Sequence, residues 1–212
     1  MLNILIAEDH PVVRMGVSIL LKDMYNDLTV SEVDTADLLF SSLDQQNYDL
    51  LLLDINIPGG NSAQILKPIR SKQPGIRILV FSSFEEDTYA VRYLKAGADG
   101  YVQKESPPEE IKKAIQKVLN HEIYTSDLVQ QQMLKEMAGG SHAIGDISNL
   151  SDRELEIMNL LVKGLSSSEI KILLNIELST ISTYKARLFS KMGVSNVVKL
   201  VEKVNAIRLK TK

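Results

Sequence analysis

Short apolar runs alternate with amphipathic segments through the first half of the chain. The apolar runs cover residues 3–7, 28–33, 49–53, 76–81 and 100–102. Helical spacing of apolar positions is found between or after them, over residues 12–22, 62–72, 89–95 and 108–119. Strands that are apolar on both faces and alternate with helices are typical of a parallel sheet covered on both sides. The pattern predicts an α/β domain with a five-stranded, doubly wound parallel sheet.

The last third of the chain has helical periodicity only. Two residue pairs have the spacing of a capping box and begin helices: Ser151 with Glu154, and Ser166 with Glu169. A third helix is predicted over residues 179–192 and a fourth over about 196–209, with Gly193 ending the third. The short turn before the third helix is typical of a helix-turn-helix. We therefore predict an all-α domain of four helices.

A stretch rich in Gly and Ser separates the two patterns. Residues 138–149 lack helical periodicity and have the composition of a flexible tether. The preceding residues 126–137 have the pattern of a short helix with a Ser cap. The predicted organisation is a first domain over 1–122, a partly helical linker over 123–147 and a second domain over 148–212.

The two regions carry opposite net charges. Residues 1–147 hold 13 Lys and Arg against 21 Asp and Glu, a net charge of −8. Residues 148–212 hold 11 against 6, a net charge of +5, so the overall charge of −3 is a sum of opposites. Such asymmetry favours different partners for the two domains, and the basic one suits a polyanion. Chance variation in composition is the alternative explanation for the charge difference alone.

Composition excludes several classes of protein. The chain has no Cys, which rules out a disulfide scaffold, a Cys-ligated zinc site and a thiol nucleophile. Its three His are far apart in sequence, which argues against a His-based metal site. No apolar run approaches the roughly 20 residues of a membrane span, and no secretory signal is visible. We expect a cytoplasmic protein without membrane insertion.

Chemically active residues follow the predicted strands at their carboxyl ends, where sites lie in such sheets. Glu8 and Asp9 follow the first strand, Asp54 the third, Ser82 ends the fourth, and Lys104 follows the fifth. Clustered carboxylates repel one another unless a cation lies among them, and Mg²⁺ binds carboxylates, waters and phosphate oxygens. A hydroxyl and an ammonium suit the remaining phosphoryl oxygens. The set predicts metal-assisted phosphoryl transfer with Asp54 as nucleophile, although each residue alone could be a cap or a turn residue.

Three segments resemble response-regulator receiver domains. They are residues 4–14 (ILIAEDHPVVR), 49–59 (DLLLLDINIPG) and 96–104 (AGADGYVQK). The resemblance covers roughly residues 2–120 and implies that a histidine kinase transfers a phosphoryl group to Asp54.

The same resemblance implies roles for the surrounding residues. Lys104 would pair with a phosphoryl oxygen, and Ser82 and Tyr101 would form a switch that responds to phosphorylation. A plain core aromatic is the alternative for Tyr101. The implied Mg²⁺ ligands are Glu8, Asp9, Asp54 and the backbone carbonyl of Asn56.

The predicted third helix of the basic domain has two distinct faces. Its apolar stripe, expected to face the core, consists of Ile181, Tyr184, Leu188 and Met192. Small residues on the other face permit close approach to the floor of a major groove, and basic residues reach phosphates. The candidate DNA-contacting residues are Ser166, Ser179, Thr180, Ser182, Thr183, Lys185, Ala186, Arg187 and Lys191. A solvated surface is the alternative for such a helix.

Three segments of this domain resemble LuxR-type DNA-binding domains. They are residues 150–158 (LSDRELEIM), 164–170 (GLSSSEI) and 179–194 (STISTYKARLFSKMGV). Relatives often carry Lys where Ser182 stands. Both resemblances occur in the usual order, so the chain is similar to response regulators of the LuxR-type (NarL/FixJ) group. This implies a phosphorylation-regulated transcription factor that binds double-stranded DNA and forms a homodimer when active.

Two other functions are compatible with parts of the sequence. A constitutive DNA-binding regulator would use its receiver without phosphorylation. An aspartyl-phosphate phosphatase would need a general acid two residues after the nucleophile, where this chain has Asn56. We therefore do not expect an enzyme, beyond self-catalysed phosphoryl transfer and dephosphorylation of the receiver.

Overall fold

The chain folds into two compact units, Met1–Gly139 and Gly140–Lys212. A computed structural model describes residues 1–60, 63–137 and 147–211. The predicted tether over 138–149 lies outside these residues, except for a 3₁₀ turn at Ile147–Asn149. The domain boundaries after residues 122 and 147 stay predictions. Within the described ranges, no helix is long and apolar enough to span a membrane.

The first unit contains the predicted five-stranded sheet. All its strands are parallel, in the order β2-β1-β3-β4-β5, which confirms the doubly wound α/β prediction. The strands are β1 Leu2–Ala7, β2 Leu28–Val33, β3 Leu50–Leu53, β4 Arg77–Ser82 and β5 Gly100–Gln103. The central β3 consists of four leucines that are buried on both faces. Full burial of each contributes about 1.5–3 kcal/mol, so β3 anchors the core.

Helices cover both sides of this sheet. They are α1 Pro11–Met24, α2 Ala36–Gln45, α3 Leu66–Lys72 after a 3₁₀ turn at Ala63–Ile65, α4 Glu86–Lys95, α5 Pro108–Leu119 and α6 Asp127–Met137. The sequence analysis did not predict α2. Its signals were present, because Thr35 Oγ1 caps the helix by accepting from Leu38 N, and Leu39 and Leu43 are buried one turn apart.

The chain after α5 stays attached to the first unit. Gly100 and Tyr124 form a parallel bridge, and Tyr101 N donates to the Tyr124 carbonyl at 3.0 Å. Gly100 permits this approach, because a Cβ there would lie 2.9 Å from the Leu79 and Val118 side chains. The predicted Ser cap is observed, with Ser126 Oγ accepting from Val129 N, and the following α6 packs on α4.

The second unit is the predicted all-α domain. Its helices are α7 Asp152–Val162, α8 Ser167–Leu174, α9 Leu178–Met192 and α10 Val197–Thr211. Both predicted capping boxes form, at Ser151 and Ser166. Gly193 ends α9 in the left-handed conformation with φ +63°, which glycine adopts at little cost. The predicted stripe of α9 faces the core, although Tyr184 is only partly buried.

Candidate functional site

The strand register brings the predicted carboxylates together. Ala7 of β1 pairs with Leu53 of β3, so Glu8 and Asp54 leave neighbouring strands at the same edge of the sheet. The Asp54 N–H donates to the Ala7 carbonyl at 2.8 Å, which fixes the end of β3 beside β1. Both carboxylates are buried, and Asp9 lies beside them half-buried. The predicted acidic cluster is therefore present.

Lys104 supplies a cation to this cluster. Its backbone N–H donates to the Ser82 carbonyl at 2.8 Å, which extends the pairing of β4 and β5. The Lys104 ammonium then lies 2.6 Å from Glu8 Oε2 and 3.0 Å from Asp54 Oδ2. One partly buried ammonium thus faces two buried carboxylates, and this part of the site keeps an excess of acidic over basic groups.

Burial raises the pKa of the Asp54 carboxyl above its ordinary value. The Lys104 ammonium lowers this pKa, the Glu8 charge raises it, and the Asn56 N–H, 3.2 Å from Asp54 Oδ1, lowers it; the net shift is upward. A carboxylate with a raised pKa is more basic than an ordinary one. Ionisation of this carboxyl therefore costs more free energy in the folded protein than in the unfolded chain.

The Asp54→Asn variant is expected to unfold at a higher temperature than the wild type at neutral pH in the presence of a chelator. Asn carries no charge to bury, whereas burial penalises ionisation of the wild-type carboxyl. The folded state holds the Asp54 proton more tightly than the unfolded state, so wild-type stability falls as pH rises through the raised pKa. The advantage of the variant should therefore shrink as pH approaches the ordinary value of 3.8. Thermal unfolding across pH measures this, and an advantage independent of pH would contradict it.

The donor set fits a divalent cation. Glu8, Asp9, His10 and Asp54 each offer one ligand atom, and these four atoms lie within 4.8 Å of one another. Three buried oxygens contact only the Lys104 ammonium or the His10 ring among the described residues and accept no hydrogen bond: Glu8 Oε2, Asp9 Oδ1 and Asp54 Oδ2. Oxygens in this state are ligands for a hard cation such as Mg²⁺. The backbone carbonyl of Asn56 stays a prediction as a further ligand.

His10 is a member of the cluster that the sequence analysis missed. Its Nδ1 lies 2.9 Å from Glu8 Oε1 and 2.7 Å from Asp9 Oδ1, while the ring is largely exposed. The only available signal was its position directly after the acidic pair.

The two predicted switch residues both bond to the backbone of Phe84, in the loop between β4 and α4. Ser82 Oγ accepts from Phe84 N at 3.1 Å, and the Tyr101 hydroxyl donates to the Phe84 carbonyl at 3.0 Å. Ser82 and Tyr101 are fully buried, and burial raises the pKa of the Tyr101 hydroxyl, which keeps it a donor. The Phe84 ring also stacks on Tyr89 with centroids 4.6 Å apart. The loop between β4 and α4 is therefore hydrogen-bonded to both predicted switch residues.

The candidate DNA-contacting residues lie on α8 and α9, and several have partners within the domain. Ser166 is the N-cap of α8, and Lys185 Nζ lies 3.2 Å from Ser167 Oγ. Lys191 Nζ lies 2.6 Å from Glu154 Oε2. Burial alone would raise the pKa of Glu154, but the bonds from Lys191 and Ser151 outweigh it and hold the pKa below its usual value. Lys191 therefore has a structural role in addition to its predicted one.

The other candidates occupy the outward side of α9. Ser182 Oγ donates to the Leu178 carbonyl at 2.9 Å, and Thr183 Oγ1 donates to the Ser179 carbonyl at 3.0 Å. The remaining candidates are Ser179 and Thr180 in the first turn of α9, and Ala186 and Arg187, which are exposed.

Two family descriptions match the two units. "Response regulator receiver domain" matches residues 4–116, and "Bacterial regulatory proteins, luxR family" matches residues 148–204. The chain therefore belongs to the response regulators that join a receiver domain to a LuxR-type helix-turn-helix domain. It is a two-component transcription regulator that binds DNA through this second domain, and not a conventional enzyme.

Known relatives are similar along almost the whole chain. Fimbriae Z protein of Salmonella typhimurium is 33% identical over 202 residues, 94% of each chain. Oxygen regulatory protein NreC of Staphylococcus aureus is 31% identical over 211 residues, 95% of each chain. A solved structure of RcsB from Salmonella enterica serovar Typhimurium, bound to promoter P1flhDC in the presence of phosphomimetic BeF3-, is 25% identical with a TM-score of 0.58. The match covers 97% of this chain and 98% of that chain.

Proposed function

We propose that Asp54 accepts a phosphoryl group from a histidine kinase and that this modification controls DNA binding. The observation that carries the proposal is the contact of the Lys104 ammonium with the buried carboxylates of Glu8 and Asp54 at the carboxyl edge of the sheet. A chain using Asp54 only for structure would gain nothing from a second buried carboxylate beside it, because burial of like charges is costly.

Each residue of the site has a distinct role in this proposal. The ionised Asp54 carboxylate attacks the phosphorus of the kinase phosphohistidine, a P–O bond forms as the P–N bond breaks, and the histidine of the kinase is the leaving group. The raised pKa of Asp54 favours the nucleophilicity of its carboxylate. Lys104, already within 3.0 Å of Asp54 Oδ2, holds one oxygen of the phosphoryl group. The ligands proposed for Mg²⁺ are Glu8, Asp9, Asp54 and the Asn56 carbonyl. When bound, Mg²⁺ offsets the charge of the carboxylates and of the phosphoryl oxygens.

Ser82 and Tyr101 transmit the modification in this proposal. A phosphoryl group on Asp54 is a strong acceptor for the Ser82 hydroxyl. Ser82 Oγ also accepts from Phe84 N, and the Tyr101 hydroxyl donates to the Phe84 carbonyl. A shift of Ser82 toward the phosphoryl group therefore removes one of these two hydrogen bonds to the Phe84 backbone. The loop between β4 and α4 is thereby the element through which the receiver changes state.

The active form is proposed to be a cytoplasmic homodimer on DNA. Two copies of the helix-turn-helix would bind half-sites about one helical turn apart, some 34–36 Å. The solved relatives include two RcsB dimers bound to two parallel DNAs, which supports a dimeric mode for this architecture.

The proposal is tested by mixing the full chain with an autophosphorylated histidine kinase and Mg²⁺. Transfer of the label to the wild type and not to an Asp54→Asn variant supports it, and no transfer from any of a panel of kinases argues against it. Turnover of a phosphate ester such as p-nitrophenyl phosphate would instead favour the phosphatase alternative. The position of the required general acid is occupied by Asn56, so we expect no turnover.

The Arg187→Ala variant is expected to bind DNA more weakly at every sequence and with a smaller salt dependence. Loss of one phosphate contact should reduce the slope of log K against log salt by about 0.9. The matched comparison is Lys191→Ala, whose ammonium pairs with Glu154. It should change the slope less and lower the unfolding temperature more. Fluorescence anisotropy over a salt series measures both slopes, and an unchanged slope for Arg187→Ala would remove Arg187 from the phosphate contacts.

A further inference from the structure

Two hydroxyl groups on the outward face of α9 already donate to the helix backbone. Ser182 and Thr183 are exposed, but each hydroxyl donates to a backbone carbonyl one turn earlier, at 2.9 and 3.0 Å. A hydroxyl has one proton, so while these bonds hold, both side chains retain acceptor capacity only. The row of Leu178, Ser182 and Ala186 therefore presents no free hydroxyl proton to guanine, which offers acceptors in the major groove.

Apolar atoms occupy the same face. Leu178, the first residue of α9, is 44% exposed, and Ala186 is also exposed. Leu178, Ser182 and Ala186 are spaced by four residues, so they share one side of the helix. One exposed leucine on a protein surface needs no special explanation. Leu178, however, is the first residue of the second helix of a DNA-binding helix-turn-helix.

The major groove has one apolar group on a base edge, the 5-methyl group of thymine. We propose that α9 selects A·T pairs mainly through thymine methyl groups, which contact Leu178 and Ala186. The Ser182 hydroxyl, as an acceptor, suits the N6 amino group of the paired adenine. This inference rests on the proposed function and on the expectation from the sequence that α9 enters the major groove, and it names the groups that α9 contacts there. Arg187, at the edge of the face, holds phosphate in this arrangement.

A protein partner is the competing explanation for Leu178. Ile172 and Leu173 of α8 are 81% and 61% exposed, and the three side chains lie close in sequence. If these three side chains formed a docking surface for a protein, substitution of Leu178 would leave the affinity for DNA unchanged. Leu178 shares one side of α9 with Ser182 and Ala186, and this favours contact of Leu178 with DNA over contact with a protein.

The experiment uses the full chain with acetyl phosphate and Mg²⁺. A duplex is first selected from a random-sequence pool, and each thymine of its half-sites is then replaced in turn by uracil, which pairs identically but lacks the methyl group. Wild-type affinity should fall about four-fold at a contacted thymine, the effect of one methyl group removed from contact. Leu178→Ala should bind the thymine duplex more weakly and show no further loss at the same position.

Leu173→Ala is the matched control, because it removes an equally large exposed side chain from the neighbouring helix. It should keep the wild-type affinity and the full response to uracil. The inference is overturned if no half-site thymine responds to uracil, or if Leu178→Ala keeps the full response. In both cases the chain still binds DNA and the proposed function stands. Failure to enrich any sequence, with no measurable binding, would overturn the proposed function as well.

Discussion

Replacing Asp54 with Asn is expected to abolish covalent labelling of the chain by acetyl phosphate in the presence of Mg²⁺. The amide is not a nucleophile, so no acyl phosphate can form on it. The substitution keeps the size of the side chain and an oxygen that accepts from the Asn56 N–H, so the surrounding loop should hold its geometry. Intact mass spectrometry, which detects the mass of one added phosphoryl group, measures the loss.

Asp37→Asn is the matched control for this variant. Asp37 is exposed in the first turn of α2 and is not a member of the cluster of Glu8, Asp9, His10 and Asp54, so its loss should leave labelling at the wild-type level. Labelling of Asp54→Asn at the wild-type level would overturn the assignment of Asp54. The label would then be sought on Glu8 or Asp9, the neighbouring carboxylates.

The Lys104→Ala variant is expected to lose about 3–5 kcal/mol of unfolding free energy at neutral pH in the presence of a chelator. The buried Glu8 and Asp54 carboxylates would then face each other without the ammonium that lies within 3.0 Å of both. Removing Lys104 also removes a lowering influence on the pKa of Asp54, which therefore rises further. The folded state then binds a proton to higher pH, so the deficit should shrink as pH falls.

Urea unfolding at neutral and mildly acidic pH, with and without Mg²⁺, measures this effect. Added Mg²⁺ should restore part of the lost stability, because it replaces the missing positive charge. Lys112→Ala is the control, since Lys112 pairs with Asp23 and Glu109 at the surface, where ion pairs contribute little. Wild-type stability of Lys104→Ala in the chelator would show that the two carboxylates are not both ionised beside Lys104.

The sequence was sufficient to predict most of the receiver fold, because its signals are strong and local. Four consecutive buried leucines make β3 unmistakable, and the alternation of strands with helices predicts that the strands are parallel. The missed α2 shows the limit of this approach. Its apolar face rests on Leu39 and Leu43, with exposed Leu38 blurring the period, so tertiary packing decides its register.

The sequence was sufficient to predict which residues form most of the site, but not which of their atoms contact each other. Glu8, Asp54 and Lys104 could be placed at one edge, because the ends of parallel strands meet there. The contact of His10 with Glu8 and Asp9 depends on the direction of a side chain after the strand, which spacing does not encode. On α9, spacing placed Ser182 outward but gave no sign that its proton is bound to the Leu178 carbonyl. Rotamer choices of this kind appear only in three dimensions.

Control of DNA binding by phosphorylation of Asp54 requires that a phosphodonor change the affinity of the chain for DNA. The affinity of the full chain for its selected duplex is measured by fluorescence anisotropy with Mg²⁺, with and without acetyl phosphate, alongside Asp54→Asn. We predict that the phosphodonor tightens wild-type binding by about tenfold or more, a coupling of about 1.4 kcal/mol, and leaves Asp54→Asn unchanged. Equal wild-type affinities in the two conditions would contradict the account and favour a constitutive regulator.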